Sequence, residues 1–234
     1  MKVLARRKSG GRRIFRAPEF CRIHRLLLVD ADVLHPVIRG WLVCADALGA
    51  DGSQQRRSVF WEFCAAYFNH RFHNAWHLSA EQSIRVHAGN YGIPSMVKVV
   101  SPSGSGNQVR LSFGCTLLDY AYGFETRPGQ VVTLGGLRAL SVPAALLRLP
   151  ARLFPELEYD ARAAIGRLDV DGSLWLRLLE GEGMEAAGRL TGALRQAGKE
   201  AAADQILSAC RQAGYRVREN DPFGGVTDLW HAVR

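Results

Sequence analysis

A mixed α/β fold of the α+β kind, with a helical C-terminal part, is predicted by three features of the 234-residue sequence. Short helical stretches precede a hairpin-like run within the first 45 residues. Residues 75–120 spell helix, strand, turn and strand. From Pro155 onward the chain is a series of Ala/Leu/Arg-rich segments broken by glycines. With 47% hydrophobic and 22% charged residues, the composition is that of a globular chain and excludes a disordered one.

Residues 1–11 form a basic, Gly/Ser-containing lead. RRIFR at 12–16 has the make-up of a short strand. Ala17-Pro18-Glu19 opens a helix, because proline is tolerated in a first turn and a carboxylate is favoured at the positive end of the helix dipole. A second helical piece runs over about 22–29. Residues 33–44 (VLHPVIRGWLVC) alternate loosely around Gly40-Trp41, as the two strands and tip of a small wing do. Helix, helix and hairpin in this order make the tail of a winged helix-turn-helix, in which one helix enters the major groove and the wing follows the backbone. Either residues 1–8 supply the first helix of the motif or the module is truncated. The expected organisation is a basic winged-helix-like module over 1–45, a linker over 46–57 (DALGADGSQQRR), an α/β domain over 58–222 and a tail over 223–234.

Within the larger domain, 58–72 (SVFWEFCAAYFNHRF) predicts an apolar helix with Ser58 as N-cap and Phe60, Cys64, Tyr67 and Phe68 at helical spacing. Ser79 and Gln82 form a capping-box pattern that starts a short helix over 80–88. Pro94 argues against helix at Ile93, and 96–100 is a β-branched run with the composition of a strand. SPSGSGN at 101–107 is a turn, and 108–113 alternates as a half-buried strand does. Further strands are expected over 116–122 and 131–140, about a turn at Arg127-Pro128-Gly129, then a helix over 142–149 ended by Pro150. The helical C-terminal half comprises ELEYDARAAIGRL, GSLWLRLLEG, EAAGRLTGALRQAG and EAAADQILSACRQAG, the last two sharing the ending RQAG.

Charge is placed unevenly. Residues 1–39 hold ten Lys/Arg against three acids, so they carry +7 of the net +8. A basic end on a near-neutral body suits phosphate binding, since cations displace the counterions condensed on nucleic acid; a solubilising basic lead has the same composition. No apolar run reaches the roughly 18 residues that cross a bilayer, and the basic start lacks an apolar h-region, so a cytoplasmic protein without membrane contact is expected. The five cysteines are widely spaced and never in a C-x-x-C pair, which indicates neither a disulfide framework nor a zinc knuckle.

No chemistry-bearing motif emerges: there is no G-x-S-x-G, no G-x-x-x-x-G-K-[ST] and no H-E-x-x-H. His70, His73 and His77 would share a side of a helix continued past Phe72, but Asn74 and the cap at Ser79 end that helix first. Asp169-Val170-Asp171, followed by Gly172-Ser173, reads as a turn and helix cap. Lys98 lies on an expected strand beside the SPSGSGN turn and reads as an outward-facing residue. Neither a catalytic residue nor a metal or cofactor is therefore expected.

The series FWEFCAAYFNHRF, WHLSAEQSIRVHAGNYGIP, VKVVSPSGSGNQVRLSFGCTLLDY, LSVPAALLRLP and LLEGEGMEAAGRLTGALRQAGKEAAADQILSACRQAGYRVRENDPF resembles the region preceding the catalytic domain in a group of bacterial Fic-family (cell filamentation) proteins. That region is in turn similar to AbiEi-type antitoxins, whose pattern is a winged helix-turn-helix followed by an α/β domain. The likeness runs over about 15–223, with IFRAPEFCRIHRLLLVDADVLHPVIRGWLV matching the winged part. Fic enzymes carry H-P-F-x-x-G-N-G-R, whereas this chain has Asp221-Pro222-Phe223-Gly224-Gly225 and no such His, Asn-Gly or Arg. The resemblance therefore implies a regulatory module and offers no catalytic residue. It implies a DNA-binding, antitoxin-type transcriptional autoregulator of a toxin–antitoxin system, with Arg12, Arg13, Arg16, Arg22, His24, Arg25 and Arg39 facing double-stranded DNA. The alternative is a non-catalytic interaction module for a Fic-type or nucleotidyltransferase-type toxin.

Overall fold

The computed structural model describes residues 11–121, 126, 129–168 and 184–224. The fold is α+β, with seven α-helices and three sheets among the described residues. The chain divides into two compact units: 1–77 with 91–123 and 135–137, and 78–90 with 124–134 and 138–234.

The first unit begins with strand β1 (Ile14–Arg16), a 3-10 turn over Ala17–Glu19, helix α1 (Arg22–Asp30) and the hairpin strands β2 (Leu34–Ile38) and β3 (Trp41–Cys44). The three strands form an antiparallel sheet in the order β1-β3-β2, with Phe15 opposite Leu42 and His35 opposite Val43. Pro36 is accommodated because β2 is an edge strand and the register shifts between Pro36 and Ile38. The Ala17-Pro18-Glu19 signal makes only a single 3-10 turn, since Phe20 returns to extended backbone and buries its ring edge-on against Phe15 at 5.6 Å.

Helix α2 (Gln54–Phe72) is the spine of this unit. It starts four residues before the expected start at Ser58, inside the stretch expected as linker. Ser53 is the cap, its hydroxyl accepting from the Arg56 N–H at 3.1 Å. The Gln/Arg-rich composition that suggested a loop belongs to a partly exposed first turn built of good helix formers. Phe60, Phe63, Cys64 and Phe68 are buried along α2, and Phe113 meets Phe60 at 5.4 Å. The second sheet has the order β4-β5-β7-β6, from β4 (His77–Leu78), β5 (Met96–Val100), β6 (Gln108–Arg110) and β7 (Thr116–Tyr120), with β5 and β7 parallel. β6 is shorter than the expected 108–113 because the chain turns at 111–114 to bury Leu111 and Phe113. The SPSGSGN turn is held by Asp119, which accepts from the Ser105 N–H at 2.8 Å and pairs with Arg71 at 2.9 Å. Four of the five free cysteines are buried, and burial pushes the Cys115 thiol up to about 11.

In the second unit, helix α3 (Ala80–His87) is capped as expected, with the Ser79 hydroxyl accepting from the Gln82 N–H at 3.3 Å. The single strand expected over 131–140 is instead two strands, β8 (Val131–Leu134) and β9 (Leu137–Leu140). Gly135 and Gly136, at φ +55° and +87°, supply the left-handed turn between them. Helices α4 (Val142–Arg148), α5 (Glu158–Gly166), α6 (Met184–Gln196) and α7 (Glu200–Gln212) follow, sharing one core that includes Ile84, Leu146, Leu190 and Ile206. The expected helix GSLWLRLLEG, the Arg127-Pro128 turn, Asp169–Asp171 and residues 1–8 lie outside the described residues.

Beyond α7 an extended strap crosses α6. A Cβ on Gly188 would meet the Arg218 carbonyl oxygen at 2.1 Å and one on Gly192 the Asn220 carbonyl oxygen at 1.8 Å, so only glycine admits the strap. The strap is anchored by Phe223, 6.0 Å from Phe154, and by the Arg195–Glu219 ion pair at 2.7 Å.

Candidate nucleic-acid interface

The seven basic residues expected to face DNA fall into two groups. Arg12 and Arg13 are committed within the fold. The Arg12 guanidinium lies 2.6 Å from Glu19 and over the Phe15 ring. Arg13 reaches across 49 residues to α2, its Nε donating to Glu62 at 2.9 Å and its Nη2 to the Ser58 hydroxyl at 3.1 Å. The strand is shorter than the expected 12–16, covering Ile14–Arg16 with Ile14 and Phe15 buried, and Arg12 and Arg13 fasten the residues just before it. Arg16 is intermediate, with its backbone N–H on Glu19 and its guanidinium 5.9 Å from the Trp41 ring.

Arg22, His24, Arg25 and Arg39 form the second group. Arg22 and His24 stand exposed on α1, Arg25 half-buried beside them, and Arg39 exposed at the turn between β2 and β3. Arg22, Arg25 and Arg39 make no side-chain hydrogen bond or ion pair among the described residues. Arg25 and Arg39 line one groove with Leu26, Ile38, Trp41 and Leu42, so the helix and the hairpin turn present their charges on a common face. Asp30 is the last residue of α1, and Asp32 beyond it pairs with His35 at 2.9 Å.

Trp41, expected at the tip of the wing, is in β3 and points inward. Its ring meets Phe63, Tyr67 and His70 of α2 at 5.7 to 5.9 Å. The indole is a packing group, and the turn itself is Arg39-Gly40. His70 is thus occupied in this aromatic cluster, the helix ends at Phe72, and His77 is buried on β4. Among the described residues no group of three or more His, Cys, Asp or Glu converges on a metal-sized space.

Sequence periodicity missed one feature of the face. Ile23, Leu26 and Leu27 are 70%, 50% and 60% exposed. They occupy one side of α1 while Leu28 packs inward. In RIHRLLLVD a run of leucines reads as core, and which of them faces inward depends on what covers the helix.

The first unit therefore presents a helix and hairpin with a basic, partly aliphatic outer face. No family model matches this chain, and no curated protein does. Among solved structures it is similar to the crystal structure of RV2827C protein from Mycobacterium tuberculosis, with 16% identity and a TM-score of 0.54 over 89% of this chain and 81% of that one. At that identity the likeness is one of fold alone. No helix among the described residues is long and apolar enough to cross a membrane.

Proposed function

We propose that the chain binds double-stranded DNA through α1 and the β2–β3 hairpin and acts in the cytoplasm as an antitoxin-type transcriptional autoregulator of a bacterial toxin–antitoxin system. The observation that carries DNA binding is the set of three guanidiniums, Arg22, Arg25 and Arg39, standing without internal partners among the described residues on a helix and the hairpin after it. The order strand, turn, helix, hairpin is that of a winged helix-turn-helix from its first strand onward, with α1 as the groove-entering helix and Arg39 at the wing. The antitoxin role comes from the resemblance to AbiEi-type proteins and assigns no catalytic group.

The test is a salt titration of binding to short duplex DNA. Replacing both Arg22 and Arg25 by Ala should weaken binding and flatten the log–log salt slope by about 1.8, or about 0.9 per lost phosphate contact. Arg13→Ala, whose guanidinium already sits on Glu62, should leave the slope unchanged. An unaltered slope in the double variant would exclude α1 from the interface. The exposed Ile23, Leu26 and Leu27 favour a second reading, in which α1 docks a Fic-type or nucleotidyltransferase-type toxin instead of DNA. Retention of a toxin by the intact protein, lost in Leu26→Asp, with no duplex binding at low salt, would select it.

A further inference from the structure

Resting on the DNA-binding reading above, we infer that α1 reads thymine methyl groups, so that the base pairs under the helix are A·T. The outward face of this nine-residue helix carries two main kinds of side chain, with His24 and Asp30 also exposed and Arg25 half-buried. Arg22 and Arg25 are cationic, and Ile23, Leu26 and Leu27, at i, i+3 and i+4, are aliphatic and at least half exposed. Phosphates satisfy the first kind and leave the second facing the base edges. On those edges the 5-methyl of thymine is the apolar group the major groove offers, and aliphatic side chains recognise it by contact.

Charge and size favour this occupant over a protein. The face belongs to a stretch of +7, and Arg39 of the hairpin turn flanks the same groove as Leu26. Three aliphatic side chains on so short a helix cover far less than the roughly 800 Å² per partner of a stable protein interface. One helix fits the roughly 12 Å width of the major groove. Asp30, exposed at the C-terminal end of α1, stands one turn from Leu26 and Leu27, at the edge of the face farthest from the N-terminal turn that leads into the groove.

The experiment compares the intact protein on an alternating A·T duplex and on the same duplex with deoxyuridine for thymidine, which deletes only the methyl groups. A G·C duplex with and without 5-methylcytosine restores a methyl at the same ring position. At fixed salt, the uracil duplex should bind about fourfold more weakly for each methyl in contact. The salt slope should be equal for both, and methylated cytosine should recover part of the loss. The Ile23→Ala/Leu27→Ala variant, altered only at exposed positions, should bind thymine and uracil duplexes alike. Salt-dependent binding with equal affinity for the two duplexes overturns methyl readout and leaves DNA binding intact. A thymine preference that survives in the variant overturns the role of these side chains and points to groove shape. No binding to any duplex at low salt overturns both readings.

Discussion

Helices α1 and α3 are nearly equal in length and both are amphipathic, yet they meet opposite fates. In α3, Ile84 and Val86 are buried, and Ser83 donates to the Leu78 carbonyl while accepting from the Leu140 N–H. In α1 Leu28 is the one buried residue, and three aliphatic side chains of the same size, Ile23, Leu26 and Leu27, are half or more exposed. Each forgoes roughly 1 kcal/mol that full burial would give. Local pattern made both helices; the elements layered over them decided which apolar face became core. A face left open at that cost, beside guanidiniums that have no partner among the described residues, is the surface that the proposed DNA contact would use.

The contrast can be broken most directly by truncating one side chain from each helix. Ile84→Ala should cost about 2–5 kcal/mol in urea unfolding, as deletion of a fully buried side chain does. Leu27→Ala should fall within about 0.5 kcal/mol of wild type. A large loss at Leu27 would mean that the α1 face is packed and not open. The cover over the second unit can also be lifted on purpose. Gly192→Ala puts a methyl into the Asn220 carbonyl and should lower stability by about 1–3 kcal/mol while raising amide exchange over 216–221. Unchanged exchange there would show that the strap is not held by this approach.

The smallest expected effect sharpens the contrast through pH. His87, at the end of α3, lies 2.8 Å from the Leu140 carbonyl, and burial lowers its pKa from 6.5 more than that hydrogen bond raises it. Its folded value is therefore below its unfolded one, and the unfolded chain binds the extra proton. Stability should be complete above about pH 6.5 and decline as the pH falls below it. Thermal melts of wild type and His87→Gln across that range test this, with the decline expected to be shallower in the variant.

What could be read in the sequence was what depends on near neighbours. Ser79 caps α3 through a residue three positions away, and Met96–Val100 is a strand by composition. Gly135-Gly136 was equally local and equally visible, but the apolar run around it suggested one strand. The start of α2 was missed because Ser58 and Ser53 are both acceptable caps, and Ser58 is taken by Arg13 from a distant strand. The candidate interface was legible as charge only. Which arginines are spent inside the fold depends on Glu62, 49 residues from Arg13, and no local pattern announces that pairing. The outward leucines of α1 were hidden for the complementary reason, since periodicity assigns a face but not what covers it.

The order in which the chain visits its two units has a practical consequence for dissecting the gene. Each unit is assembled from three separate stretches, so no single start and stop codon brackets either one. Deleting 1–45 to test for DNA binding would also strip Arg13 from Glu62 and Trp41 from Phe63, Tyr67 and His70, baring the aromatic side of α2. Loss of binding by such a fragment would report a damaged scaffold as readily as a missing contact. In this protein, function has to be mapped one side chain at a time within the full-length reading frame.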